Sequence, residues 1–529
     1  MVVKFGVMRV NGLVGMPEEL APGRLGAASV AFLGLAAAAP IVTLVTLVPP
    51  ALATGAGPLL PLGFAGLALT LLLFSCGYAA MGRRSPRAGA AYPQIARGLG
   101  RPAGVTAAWL AISGYQAIQF GLYALAGVAA QPLLSVPWWM VAAACWALVA
   151  LCGPMRVEIA AGVVALLAVG QVVVLAGLAA SNVLRPFGGR VTEASIVLGE
   201  PGRIDRPLLG LLLAAGVLAF AGFESAAAYA EESRLPRRTA GLGGFGSVAL
   251  LGLLLGGVSW SLIVAAGPGR IAGVARDRGT ELLFAMGEER LLPWAVTLSR
   301  VAFLTGVLVG ALALHHTINR LVYALGREHV LPAVLGHTGR RTGAPRAASV
   351  TQSLVAGAAM TGAYLAGADP GLRTARWLIV GGALSVLLVL LMASLAALVH
   401  LNRVPADEGA FVRFAAPFLS TVSLGVLTWL AVRDLPALLA MPPGYPLVRA
   451  VAGAIVAGVV LGTAHALLLR LTRPVVYAGI GLGGSAVVVT PQSPAAPAAP
   501  VAAIGAPPRI PRQRVPGAHR PERVEREAS

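Results

Sequence analysis

Apolar residues run along this chain in long blocks, broken by short clusters of Pro, Gly and Arg, from about residue 25 to about residue 470. A block of about 20 apolar residues is what an α-helix needs to cross ~30 Å of hydrocarbon, so the pattern predicts helices that span a membrane. Breaks at Pro, Gly and Arg clusters give twelve, with cores at 27–50, 58–81, 103–130, 137–153, 157–181, 207–231, 241–266, 296–325, 347–366, 376–401, 411–432 and 448–470. Two amphipathic pieces, "RAGAAYPQIARGLG" after the second span and "GTELLFAMGEERLLP" before the eighth, are too short to cross and read as interfacial helices.

The composition agrees, with 57% hydrophobic and only 12% charged residues among 529, against roughly 25% charged in soluble domains. No apolar-poor stretch is left to build a soluble domain. The net charge of +19 comes from arginines in short loops and in the C-terminal tail, with no aromatic-rich basic domain, so nucleic acid is not the expected partner. Arginine-rich short loops stay cytoplasmic, and the loop bearing Arg83, Arg84, Arg87, Arg97 and Arg101 carries no acid. With an even number of spans, both termini are expected in the cytoplasm of a cell carrying this multi-pass protein in its cytoplasmic membrane.

Three parts follow: an N-terminal segment 1–24, a twelve-helix domain 25–472, and a Pro/Ala/Arg-rich tail 473–529 whose composition cannot bury a core. The first apolar run lacks a cleavage pattern and reads as a retained helix; Met1 and Met16 are both candidate starts. Cys76, Cys145 and Cys152 fall inside apolar spans and read as small buried hydrophobes rather than ligands. Two formal G-x-G-x-x-G strings, at Gly241 and Gly479, follow no strand and are discarded as dinucleotide sites.

Two spans carry interruptions. Pro40 sits mid-span in "GLAAAAPIVTLVTLVPP", where its missing N–H and its ring break the helix behind it while suiting the first turn of a new one. The sixth span weakens at "AFAGFES", where Gly222 lies roughly 20 Å along the axis from Pro207 at ~1.5 Å per residue. Paired breaks in the first and sixth spans are what an inverted repeat of five plus five helices gives, and such breaks hold transported solutes: half-helix N-termini face anions and freed carbonyls face cations. An amino acid zwitterion carries both charges. The competing reading is a proline kink and a glycine that permits close packing.

At "GFESAAAYAEESRLPRRT" the chain resembles the sixth-span signature of the amino acid, polyamine and organocation (APC) permeases. "LHHTINRLVYALGREHVLPAVLGHTGRRTGAPRAAS" is similar to that family's eighth-span signature, and "RSPRAGAAYPQIARGLG" to its Pro-x-Ala-Gly-x-x-Tyr loop. The resemblance covers roughly 25–470 and implies an all-α, twelve-span bacterial permease with the five-plus-five inverted-repeat (LeuT-like) fold, moving amino acids by alternating access. It further implies that the backbone of Ala37, Ala38, Ala39, Pro40, Ile41 and Val42, with Phe220, Ala221 and Gly222, binds the substrate's carboxylate and amine. Relatives carry a glycine-rich stretch where this chain has Ala36 to Pro40, so the carboxylate contact has less backbone freedom here.

Glu224 is the conspicuous single residue. An ionised carboxylate near the bilayer centre costs about 3 kcal/mol on insertion scales, so it is a candidate for proton coupling or gating, against a structural glutamate bonded to first-span backbone. Glu231 and Glu232 at the exit of the sixth span are placed to pair with Arg320 or Arg327 as a cytoplasmic gate, or to stand as a solvated cluster. Tyr115 and Gln119 share a helix face and either line the cavity or bond between helices, with Gln116 beside them. His315 and His316 are adjacent and cannot make the i, i+4 metal pair; one of them is a candidate for the substrate path. Thr305 is the candidate sodium ligand on the eighth span, and Lys4 is the only lysine, so no fifth-span amine replaces an ion. No cofactor or metal is expected; the coupling ion is taken as a proton, with sodium still open.

The leading expectation is an amino acid permease and symporter, not an enzyme, since no nucleophile, base and orienting partner fall at compatible spacing. Polyamine or amine transport and exchange is the alternative within the class, weakened because only Glu158, near a span end, joins Glu224 among embedded acids. A non-transporting amino acid sensor of the same fold is the alternative outside it. Beyond a small amine or amino acid and the lipids, no partner is implied, and the oligomeric state is left open.

Overall fold

A computed structural model of the chain describes residues 19–195, 206–367 and 372–483. The N-terminal residues 1–18 and the tail from 484 lie outside the described residues. Among those described there is no strand, only one isolated bridge between Leu25 and Ser233. Nine helices are long and apolar enough to cross a membrane, among them Ala27–Ala53, Leu59–Arg84, Thr239–Ala266, Pro293–Arg327 and Pro446–Thr472. Three more, Arg101–Ala130, Trp138–Cys152 and Arg346–Leu365, stand where the third, fourth and ninth spans are expected. The chain is therefore a multi-pass membrane protein. Its leucines at helix surfaces, such as Leu166 and Leu253 at 71% and 70% exposure, face outward as lipid-facing side chains do.

Helices in lipid gain nothing from burying leucine against leucine, so they associate through small residues that let backbones approach. Gly114 of Arg101–Ala130 meets Gly382 of Leu372–Arg403 so closely that a Cβ on either would lie 2.9 Å or less from the other's carbonyl oxygen. Gly310 does the same for the eighth span, with an added Cβ 3.0 Å from that of Ala39.

The first span is not one rod. An α-helix over Ala27–Ala38 ends at Ala39, which takes the left-handed conformation (φ 46°, ψ 63°), and a second helix starts at Pro40. The physical sequence is the expected one: proline cannot donate to the helix behind it, and it occupies the first turn of the helix ahead. The sixth span, Arg206–Tyr229, breaks too. Its α-helix stops at Leu218, turns follow through Gly222 (φ 116°), and a 3-10 helix runs from Phe223 to Tyr229. The tight 3-10 form is confined to this second half.

The two breaks are packed on each other. A Cβ on Gly222 would stand 2.6 Å from the carbonyl carbon of Ala37, so only glycine fits there. At their near ends the two spans are pinned by backbone bonds from Arg24 and Leu25 to the Glu232 carbonyl, at 2.8 and 3.0 Å, and from Arg234 back to Leu25 at 2.9 Å.

Three details differ from the sequence expectation. The short helices Tyr92–Leu99 and Leu282–Glu288 form, but Tyr92, Ile95, Leu282 and Phe284 are buried against the bundle rather than laid on lipid. The eleventh span opens with a π-helical turn, Phe411–Ala415, just before Pro417, whose missing N–H disrupts the ladder there. The chain also stays ordered past 473: Pro474–Gly479 is helical and Ile480 is buried.

Gly222→Ala is expected to destabilise the protein. Backbone strain at such a φ costs about 1–3 kcal/mol, and the clash with Ala37 adds to it. A thermal melt of the purified variant in detergent, compared with wild type, checks this; an unchanged midpoint contradicts the close packing of the two breaks.

Candidate functional site: a cavity at two broken helices

A cavity of about 270 Å³ opens beside the breaks. Ala37, Ala38, Ala39 and Val42 of the first span and Ala219 and Ala221 of the sixth contribute to its wall. Around these breaks several main-chain groups lack main-chain partners. The Ala39 N–H is spent on Ala36 and those of Val42 and Thr43 on Ala39, while among the described residues no turn or loop main-chain bond is made by the Ile41 N–H or to the carbonyls of Ala37, Ala38, Ala219 and Ala221. Interrupted helices leave such groups by construction. The carbonyls belong to residues of the cavity wall and suit the ammonium of a small solute.

Not every expected residue lines this space. Pro40 and Ile41 are fully buried, and Ile41 faces Gly306 of the eighth span. Phe220 packs tilted against Phe64, ring centroids 6.4 Å apart, and Gly222 is pressed onto the Ala37 backbone. Gln119 donates to the Ala311 carbonyl at 2.9 Å and accepts from Gln352 at 2.7 Å, tying three helices together away from the cavity wall. Its role is the helix-to-helix one of the two considered.

Tyr115 instead donates to Glu224 at 2.5 Å. The second Glu224 oxygen accepts from the Gly222 N–H at 3.0 Å. Glu224 thus closes the break in its own helix and holds the third span to it. Glu224 also borders a cavity of about 30 Å³, with room for water, walled by Tyr78, Gln94, Arg83, Arg87 and Arg237. His315 bonds Ser349 at 3.0 Å, and neither it nor His316 borders the large cavity. Thr305 bonds its own helix at Val301 and is part-exposed, so it does not face the first break. The buried amide of Gln171 stands in that place, beside Gly306 and Ile41.

The end of the bundle opposite the cavity mouth is tied shut. The first span runs from Ala27, beside Glu232, to Ala53, and the cavity extends from the breaks along it to Thr54. Across the closed end Arg320 grips Glu232 with two N–H groups, one at 2.9 Å to Oε1, and lies 4.3 Å over the Tyr229 ring. Burial pushes the Glu232 carboxyl above the ordinary carboxylate range in spite of Arg320. Arg327 holds Glu231 in the same bidentate way, at 2.6 and 2.9 Å, and Glu231 also accepts from the Ala88 N–H at 2.9 Å. Both pairs join the sixth span to the eighth.

Sequence reasoning did not find the neighbouring Glu328, which accepts from the Tyr92 hydroxyl and from two backbone N–H groups of the C-terminal segment. Burial is the main cause that raises both the Tyr92 and the Glu328 proton affinities. The only signal was an acid beside Arg327, indistinguishable in sequence from a solvated loop charge. Arg376, on the cavity wall, was also passed over because it stands at the edge of an apolar run.

Removing one member of the buried Arg320–Glu232 pair is expected to cost about 3–5 kcal/mol, because the other charge is left uncompensated. Glu232→Ala should therefore lower the melting midpoint strongly, and adding Arg320→Ala should recover part of the loss. Melting curves of the two single variants and the double variant check this; strictly additive losses contradict a coupled pair.

Comparison with curated proteins gives no match. The amino acid permease family profile matches residues 25–462, a stretch that begins just before the first broken helix and ends inside the last described span. That family comprises transporters rather than enzymes, and with its apolar helices and its cavity at paired helix breaks, this chain belongs to the amino acid permease family.

Proposed function

We propose that this permease carries an amino acid across the cytoplasmic membrane by alternating access, with proton coupling through Glu224. The observation that carries the reading is the cavity at the two breaks, extending toward Thr54 at one end of the bundle, with the Arg320–Glu232 and Arg327–Glu231 pairs across the other. One solute site with a single open side is half of an alternating cycle; the other half requires those ion pairs to part. Arginine-rich loops, with Arg83, Arg84, Arg87, Arg237 and Arg238, lie at the closed end, which the charge rule assigns to the cytoplasm. The cavity then faces outward, as an importer's would before loading. Twelve spans, the first ten in two inverted five-helix repeats, are the architecture that fits the breaks in the first and sixth.

Glu224 is placed to couple the two halves. Its carboxylate bonds the break through Gly222 and the third span through Tyr115, and the water-sized cavity behind it leads toward the closed end. Protonation would remove an acceptor from Gly222 and Tyr115 and loosen the break; release of the proton toward the closed end would restore it. A polyamine would need carboxylates in the cavity wall, and none is present among the described residues.

Wild-type protein in proteoliposomes is expected to accumulate a radiolabelled amino acid when the external side is acidified. Glu224→Gln should keep ligand binding, read as thermal stabilisation, and lose the dependence on the proton gradient. Gradient-driven accumulation by Glu224→Gln overturns the proton role. Binding without flux in the wild type overturns transport and leaves a sensor.

A further inference from the structure

The wall of the large cavity is apolar almost throughout beyond the helix breaks. Ile118, Leu122, Leu125, Leu218, Ile379 and Val380 face it, from the third, sixth and tenth spans. Among the described residues one charged side chain borders it, Arg376, in the helix Leu372–Arg403 near the open side. No carboxylate among the described residues forms an ion pair with this half-buried guanidinium. We propose that the cavity selects neutral amino acids with bulky apolar side chains, and that Arg376 admits their carboxylates while excluding cationic amino acids and polyamines.

The inference rests on the transport reading above and deepens it. A side-chain ammonium placed in this cavity would lose water and find no acid, and an unpaired buried charge is the costliest group to bury. It would also be repelled. A like charge ~8 Å from the guanidinium, at an effective dielectric of ~20, is disfavoured about thirtyfold. A leucine-like side chain meets surface of its own kind and gains its full transfer free energy. The carboxylate common to all amino acids is drawn toward Arg376 as it enters.

Thermal stabilisation of purified wild-type protein by L-leucine, L-phenylalanine, L-lysine and putrescine is the direct test, followed by competition in proteoliposome uptake. Stabilisation by the first two and not by the last two is expected. Arg376→Gln should strengthen L-lysine binding by up to about thirtyfold while L-leucine still binds. Stabilisation by L-lysine or putrescine but not by L-leucine overturns the substrate class and leaves a transporter. Stabilisation by no amino acid overturns the transport reading, and the selectivity with it. An Arg376→Gln variant that binds L-leucine and rejects L-lysine as wild type does assigns no filter to Arg376.

A separate observation concerns the segment after the last span. Arg101 donates to the Ala478 carbonyl at 3.1 Å and stands 5.3 Å over the Tyr477 ring, Arg97 donates to Gly481, and Ile480 is buried. The N–H groups of Gly481 and Gly483 then donate to the two oxygens of Glu328, at 2.9 and 2.6 Å. Glu328 directly follows the gate residue Arg327. The geometry points to residues 474–483 as a strap that ties the third span and the Tyr92–Leu99 helix to the end of the eighth span, holding the closed end shut and slowing turnover.

Both glycines have positive φ, 78° and 65°, and an added Cβ would strike Ala96 at position 481 and Arg87 at position 483. In the full chain, Gly481→Ala, Gly483→Ala and Glu328→Gln should each release the strap, since each charge-assisted bond lost shifts its occupancy about tenfold or more. Initial uptake rates should rise with KM unchanged. Rates equal to or below wild type in folded Glu328→Gln protein overturn the strap's restraining role.

Discussion

Everything in this protein depends on a contact between two main chains: Gly222 of the sixth span set against the carbonyl of Ala37 in the first. Bilayers have no water to satisfy stray amides, so a helix interrupted in mid-membrane is tolerated only where protein or a polar cavity takes up the freed groups. Here two interruptions meet and share the task. The Ala39 N–H turns back to Ala36, the Gly222 N–H is taken by Glu224, and the carbonyls of Ala37, Ala38, Ala219 and Ala221 belong to residues that border a cavity. Ala39 in a left-handed conformation and Gly222 at a strongly positive φ hold the backbone in states that regular helices avoid.

From this constraint the rest follows. Because both breaks sit on one cavity, the half-spans beyond them need not move together, and the ends can be bound and released separately. The closed end carries the strong charged contacts of the bundle, Arg320 with Glu232 and Arg327 with Glu231, which join the second half of the sixth span to the eighth. The cavity, among the described residues, has an apolar wall and one arginine. Strong, specific bonds on one side and adaptable apolar surface on the other suit a machine whose gate must be definite and whose cargo site must fit a side chain.

Much of the fold was legible because membranes make sequences blunt. Runs of apolar residues give helices, and Pro40 gives the first break at the residue where it falls. Gly222 was readable as a weak point; the length of the irregular stretch, Ala219 to Gly222, was not, since it depends on Glu224 folding back onto the Gly222 N–H. At the site the sequence named residues whose backbones do border the cavity, Ala37 to Ala39, Val42 and Ala221, and others whose side chains are engaged elsewhere. Gln119 and Tyr115 share a helix face, yet one ties three helices and the other bonds Glu224, and only the packing of the third span against its neighbours distinguishes them. Glu328 and Arg376 were illegible for a common reason. A charge near a span end looks solvated in sequence, and its burial is decided by which distant segment covers it.

The central claim is that paired helix breaks, through their free main-chain groups, hold the solute. Structure determination of the protein bound to L-leucine tests it most directly. The account predicts the amino acid in the cavity between Ala39 and Ala221, its ammonium toward the carbonyls of Ala37, Ala38, Ala219 or Ala221. An amino acid bound elsewhere in the bundle, or first and sixth spans continuous through Ala39 and Gly222, contradicts it.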